Sequence, residues 1–195
     1  MAPLLEHLPA RPSQSPIEPW ADELSKGYIF QAKYNGWRAI YDQQTKLAYN
    51  RHGRLSSHQR LIDERMARVK INARYIDIEI MGCRTKTGKD SIIILDAFDP
   101  NEPKSIQDRI DEFGHIPVAN TSIPNGKTLR VWNIWHSNLH KVTKEMREAN
   151  KLANECIFEG FVIKDINEPK YPSPKKAHYH SSGWMKYRFT EYTNA

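Results

Sequence analysis

The sequence predicts an α+β domain of mostly antiparallel strands flanked by helices. Two observations lead there. Short segments alternate apolar and polar residues. The strictest is 75–81, with Ile76, Ile78 and Ile80 on one face and Asp77 and Glu79 on the other. Between such segments lie three stretches with the 3.6-residue spacing of helices, and no internal repeat is visible. A length of 195 residues fits one domain, or one with a small appendage. It allows a core that needs no disulfides.

Residues 1–26 carry Pro3, Pro9, Pro12, Pro16 and Pro19, a density that excludes a long helix or a central strand. They read as an irregular strap with one helical turn near 20–24, ahead of a main domain at 27–195. Segments 28–33 and 37–41 read as strands around Asn35-Gly36, a strong hairpin signal. A strand at 46–49 and a turn at 51–54 follow. The helix expected at 57–70 takes Ser57 as its cap and turns Ile62, Met66 and Val69 inward. Beyond the 75–81 strand come a polar turn at 85–90, a buried strand at 91–97 and a short helix at 105–113, with Ile106, Ile110 and Phe113 inward. Residues 129–135 read as one strand. Residues 138–154 read as a helix with Val142, Met146, Ala149 and Ala153 inward. A strand at 161–164, a basic loop at 167–182 and a strand at 183–189 complete the pattern.

Twenty-nine Lys and Arg against 23 Asp and Glu give a net charge of +6. That balance suits a polyanionic partner or a solvated basic surface. No apolar run approaches the roughly 18 residues of a membrane span. No Lys or Arg precedes the first apolar residues, as a secretory leader would require. Aromatics, at 10%, are too frequent for wholesale disorder. Cys83 and Cys156 form no Cys-x-x-Cys pair and read as two buried free thiols in a reducing cytoplasm, not as a zinc site. His178 and His180 lack a nearby ligand cluster and read as exposed loop residues.

Several elements have chemical potential. Lys33-Tyr34-Asn35-Gly36-Trp37-Arg38 is either a turn between surface cations or a nucleophilic lysine beside a phosphate-binding arginine. An amine attacks phosphorus only when neutral, so such a lysine needs cationic neighbours or a metal to help it shed a proton. A guanidinium grips phosphate oxygens in pairs. Asp77 and Glu79 form either a wet strand face or the wall of a cleft holding a metal or a sugar hydroxyl. Glu159 is either a loop acid or the leading residue of a functional strand, Gly160-Phe161-Val162-Ile163-Lys164. Trp184, Lys186 and Arg188 share one strand face, turned to solvent or to a common target. Phe98 is a core residue or stacks on a base.

Taken in order, these elements resemble the nucleotidyltransferase (adenylation) domain of ATP-dependent DNA ligases. Their superfamily also holds RNA ligases and mRNA-capping guanylyltransferases. The Lys-x-Asp-Gly-x-Arg signature of that family matches Lys33–Arg38, and its Ser-Arg-x-Gly element matches Asn50-Arg51-His52-Gly53. Leu-Asp-x-Glu matches Ile76-Asp77-Ile78-Glu79, and Ala-Phe-Asp appears as Ala97-Phe98-Asp99. Glu-Gly-x-x-x-Lys matches Glu159–Lys164, and Trp-x-Lys-x-Lys matches Trp184–Arg188. The resemblance covers essentially the whole chain, from Pro3-Leu4-Leu5 onward.

The resemblance implies an ATP-grasp-like nucleotidyltransferase fold. It implies no OB domain, because the chain stops seven residues after Arg188. It implies that Lys33 attacks the ATP α-phosphate and carries AMP as a phosphoramidate, while Arg38 binds phosphate on the nick side and Arg51 contacts a 5′-phosphate. Gln31 would read the adenine amino group, Glu79 the ribose hydroxyls, and Phe98 would stack on adenine. Glu159, with Asp77, would hold Mg²⁺ or Mn²⁺. Lys186 would contact the AMP phosphate with help from Arg188, and Lys164 would belong to the same nucleotide site. Lys170, Lys175 and Lys176 would meet the DNA backbone. AMP would pass from Lys33 to a 5′-phosphate, and a 3′-hydroxyl would then displace it. The implied partner is nicked duplex DNA, met in repair or replication by a monomer in the cytoplasm with no membrane contact. A partner protein would supply the role of the OB domain, and compact enzymes of this kind look viral or phage-like. Among the charged positions of the family pattern, Asn35 stands for Asp and Arg188 for Lys. An RNA ligase, a capping enzyme and a non-catalytic nick- or end-binding module are the competing readings.

Overall fold

The computed structural model describes residues 11–167 and 181–192. The elements run β1 (Pro12–Gln14), β2 (Tyr28–Tyr34), β3 (Trp37–Asp42), β4 (Leu47–Asn50), α1 (Gln59–Met66), β5 (Tyr75–Ile80) and β6 (Ile92–Phe98). They continue through α2 (Ile106–Asp111), β7 (Thr128–Arg130), β8 (Asn133–Ile134), α3 (Leu139–Ala153), β9 (Phe158–Asp165) and β10 (Ser181–Arg188). Two five-stranded sheets result, ordered β1-β10-β9-β2-β8 and β4-β3-β5-β6-β7. Pairing is antiparallel except for β1 on β10 and β7 on β6. The expected α+β class and its antiparallel character are observed.

The expected hairpin at Asn35-Gly36 is not. β2 pairs with β8 and β9, whereas β3 pairs with β4 and β5, so the two residues carry the chain from one sheet to the other. Glycine is required here by close approach. A Cβ on Gly36 would lie 2.4 Å from the Ile80 carbonyl oxygen and 2.8 Å from Glu79 Cγ. The strand expected at 129–135 is split for a related reason. β7 ends on the second sheet, and Val131-Trp132 lead the chain back to the first, where β8 pairs with β2.

Helix α3 packs Leu139, Val142 and Met146 against Phe30, Phe158 and Phe161 of the first sheet and Phe189 just beyond β10. Ala153, expected inward, is exposed. Asn150 is buried in its place, donating from Nδ2 to the Phe158 carbonyl and accepting from the Ile157 and Phe158 N–H groups. Helix α1 packs Ile62 and Met66 against Ile76, Ile78 and Ile80. It is shorter than expected. Ser57 does not cap it, and Val69 lies beyond its end while still packing on that core. Ser105 caps the Asp108 N–H of α2, and Ile106, Ile110 and, just past the helix, Phe113 are buried as expected. The 12–14 part of the strap is an edge strand, because Pro12 needs no ladder donor at that position.

Two bulges shape the space between the sheets. In β9, Glu159 is the extra residue between the Lys33–Gly160 and Tyr34–Phe158 pairs. In β6, Leu95 is the extra residue between the Asp77–Asp96 and Ile78–Ile94 pairs. A bulge re-aims a side chain that strict alternation would send elsewhere. Gly160 makes the first bulge possible, with φ of +143° and the Tyr187 carbonyl oxygen 2.1 Å from where a Cβ would sit. Gly160→Ala is expected to cost roughly 2–3 kcal/mol in urea unfolding, by forcing β9 away from β10. An unchanged midpoint would refute that account.

Candidate active site

The ladder register builds one wall of a cleft. Lys33, Gly160 and Arg188 are aligned in one row, Gln31, Val162 and Lys186 in the next, and Ile29, Lys164 and Trp184 in the third. The second sheet contributes Arg38, Glu79 and Leu95. Between them lies an open cavity of about 610 Å³. It adjoins an inner pocket of about 100 Å³ lined by Gln31, Leu95, Val162, Lys164 and Trp184. Lys33, Arg38, Glu79 and Lys186 border both spaces. The outer cavity also receives Arg11, Arg51, Arg84 and Arg188, so seven cationic side chains face two carboxylates, Glu79 and Glu159.

Lys33 Nζ donates to Glu159 Oε2, and Arg188 Nε donates to the same oxygen at 3.2 Å. One carboxylate thus orients two cations at the cavity edge. Arg38 is gripped from below by Asp77, with its Nε at 2.8 Å from Oδ1 and its Nη2 on Oδ2. Asp77 is fully buried, and its two oxygens are committed to that guanidinium. Asp77 and Glu159 thus hold different cations, Arg38 on one side and Lys33 with Arg188 on the other. Among the described residues, no group of three or more His, Cys, Asp or Glu is placed to hold a metal ion.

Glu79 is 9% exposed and accepts the Gly36 N–H at 2.8 Å. Burial pushes its carboxyl up to about 7, with Lys33, Arg38 and the Gly36 N–H opposing the shift and Asp77 adding to it. A raised carboxyl stabilises the fold while protonated. That contribution is complete below the ordinary carboxylate range and is lost as pH rises through about 7. The urea midpoint of the nucleotide-free protein is expected to fall between pH 5 and pH 8. Glu79→Gln is expected to flatten that fall, and equal slopes in the two proteins would refute the assignment. Lys186 is held below the usual lysine range, first by burial and then by Arg188 and Lys33.

Lys164 is 1% exposed and lies beneath the inner pocket, with Nζ 2.9 Å from Asp96 Oδ2 and 3.7 Å from the centre of the Trp184 ring. Burial pulls its ammonium down to about 8, against the pull of Asp96. Asp96 also accepts from Arg109 Nε at 2.8 Å. Gln31 Nε2 donates to Asn133 Oδ1 at 2.9 Å and lies 3.5 Å from the Leu95 carbonyl oxygen.

Phe98 does not line either space. It is buried with Ile40, Tyr75 and Trp184, its ring 5.3 Å from that of Tyr75, one layer behind the pocket wall. Leu95, Val162 and Trp184 supply the apolar walls instead. Sequence reasoning missed Leu95 and Asn133, because a bulge and a change of sheet leave no periodic signal. Arg51 stands at the outer rim, exposed, with Nε donating to His52 Nε2 at 3.1 Å. Asn35 turns its Nδ2 to the Cys156 carbonyl at 3.0 Å, a bond an aspartate cannot donate. Cys83 and Cys156 are free, half-buried thiols that burial keeps above the usual range. Lys170, Lys175, Lys176, His178 and His180 lie outside the described residues.

This two-sheet fold has counterparts among solved structures. The DNA ligase-adenylate of Chlorella virus superposes with a TM-score of 0.57 at 14% identity, over 94% of this chain and 68% of that one. The chain has the fold of a DNA ligase nucleotidyltransferase domain. A Lig E DNA ligase matches with a TM-score of 0.55 at 14% identity, over 95% of this chain and 70% of its own. The ligase domain of M. tuberculosis LigD matches at 0.54 and 13% identity, over 93% and 59% respectively. No protein-family model matches the sequence, and neither does any curated protein. The ligase-type fold is thus carried by a sequence only 13–14% identical to these neighbours. Among the described residues, no helix is long and apolar enough to cross a membrane.

Proposed function

We propose that the protein is an ATP-dependent polynucleotide ligase that seals nicks in duplex DNA through a lysyl-AMP intermediate. The observation that carries this reading is Lys33. It is a partly exposed amine at the junction of an apolar pocket and a wide cationic cavity, held by a carboxylate and bordered by Lys186 and Arg38.

The pocket suits a purine between Val162, Trp184 and Leu95, with Gln31 at its edge and Glu79 positioned for the ribose hydroxyls. A triphosphate would then extend past Lys33 toward Lys186 and Arg188. The Lys33 amine bonds to the α-phosphorus, pyrophosphate leaves, and AMP remains as a phosphoramidate. An incoming 5′-phosphate takes the AMP, restoring the amine. A 3′-hydroxyl then attacks that phosphate and AMP departs. Lys186, Arg188 and Arg38 offset charge on the phosphate oxygens, and little other chemistry is needed. Glu159 fits a divalent cation as a single carboxylate ligand, substrate oxygens and water making up the rest. Such an ion, when bound, neutralises charge on the phosphates. Asp77 serves by orienting Arg38. The cationic outer cavity supports a nucleic-acid backbone as the second substrate.

The test is intact mass after incubation with Mg²⁺ and either ATP or GTP, following pyrophosphate treatment to clear resident AMP. A gain of one AMP, mapped to Lys33, is expected from ATP, followed by sealing of a nicked DNA duplex. Sealing of nicked RNA alone would move the reading to an RNA ligase, and a GMP adduct would move it to a capping enzyme. No adduct, together with tight binding to nicks, would favour the non-catalytic module.

A further inference from the structure

We propose that Asn133 sets the base selectivity of the inner pocket by holding the Gln31 amide with its NH₂ group turned away from the base and its carbonyl oxygen left to accept a purine amino group. The inference rests on the nucleotidyltransferase reading above and adds to it the side chain that decides between adenine and guanine.

An amide has one donating end and one accepting end. The end that faces a base decides which purine fits. Gln31 lines the inner pocket and is only 3% exposed. Its Nε2 lies 2.9 Å from Asn133 Oδ1 and 3.5 Å from the Leu95 carbonyl oxygen. A backbone carbonyl only accepts, so the end beside it is the NH₂ end. Gln31 Oε1 takes no hydrogen bond from any described residue, which leaves it as an acceptor for the base. Adenine offers an amino group at its six-position, where guanine offers an oxygen. Two oxygens facing each other in a buried site repel, and each loses a partner. The 3.5 Å contact to Leu95 is at the limit of a hydrogen bond, so Asn133 provides most of the restraint. Asn133 reaches Gln31 because the chain returns to the first sheet at Val131-Trp132 and pairs these two residues in the β2–β8 ladder.

The experiment measures ATP and GTP uptake by intact mass for the wild type, Asn133→Ala and Asn133→Asp, each cleared with pyrophosphate beforehand. Both nucleotides are tested on one preparation, so a partly unfolded variant scales both rates equally and leaves their ratio intact. The wild type is expected to prefer ATP. Asn133→Ala frees the amide to reverse and is expected to narrow the ATP/GTP ratio by about ten-fold or more. Asn133→Asp offers only acceptor oxygens, cannot follow a reversal, and is expected to keep at least the wild-type ratio. An Asn133→Ala ratio equal to wild type, an Asn133→Asp ratio as low as that of the Ala variant, or a wild type indifferent to the base would each overturn the inference while leaving the ligase reading in place. A wild type that takes up neither nucleotide would overturn both.

Discussion

Lys33→Ala is expected to abolish covalent nucleotide uptake and to lower ATP-driven nick sealing by on the order of 10⁴-fold or more, the scale of loss when a covalent nucleophile is removed. The geometry makes this a clean test. Glu159 retains Arg188 when Lys33 is shortened, so the change does not strand a carboxylate. The fold should therefore persist, which a thermal melt will check. The last chemical step uses a 3′-hydroxyl as nucleophile and needs no amine. A nick that already carries AMP on its 5′-phosphate should thus still be sealed by the variant. Uptake of AMP by Lys33→Ala would place the nucleophile elsewhere and refute the mechanism.

Asp96→Ala should produce the largest loss of stability, about 3–5 kcal/mol in urea unfolding. The carboxylate lies between two cations that are almost wholly buried, Arg109 at 2% and Lys164 at 1% exposure. Removing it leaves both without their counter-charge. Burial alone would drive Asp96 up. The Arg109 and Lys164 charges overcome that and hold it below the usual carboxylate range. Its contribution is therefore present above the ordinary carboxylate range and is lost only as pH falls through the lowered value. Asp96→Asn keeps the shape, loses the charge, and should fall between the two. A loss below 1 kcal/mol in the Ala variant would mean that the buried cations find other partners.

The sequence alone exposed some features and hid others, for identifiable reasons. Alternation at Ile76-Asp77-Ile78-Glu79 placed the isoleucines on one core-facing side, and they pack there with Ile62 and Met66 of α1, because local period and burial agree. It set both acids on the opposite face, where Asp77 is sealed under Arg38 and Glu79 borders the cavity. That division depends on cross-strand register, which a single strand does not encode. Asn35-Gly36 has the composition of a tight turn, yet its glycine answers to the Ile80 carbonyl far along the chain. Phe98 ends a buried strand as expected, but the β6 bulge turns Leu95 into the pocket and leaves Phe98 in the core. Among the expected site residues, Lys33, Glu79, Glu159, Lys186 and Arg188 do line one cavity, because the strands that bear them converge in just two sheets.

The sheet order also dictates a schedule of assembly. Four of the five strands in the second sheet, β3 to β6, come from one continuous stretch of chain, and β7 follows at its edge. The first sheet draws its strands from opposite ends, with β2 placed early and β9 and β10 at the close. Local pairings form sooner than distant ones, because less loop entropy must be surrendered first. During synthesis, then, the half bearing Glu79 and Arg38 can set before the other half exists. Lys33 waits for Glu159 and Lys186, which leave the ribosome more than a hundred residues later. On the proposed reading, the nucleotide pocket of a nascent chain would be incomplete until β10, which bears Trp184 and Lys186, has emerged.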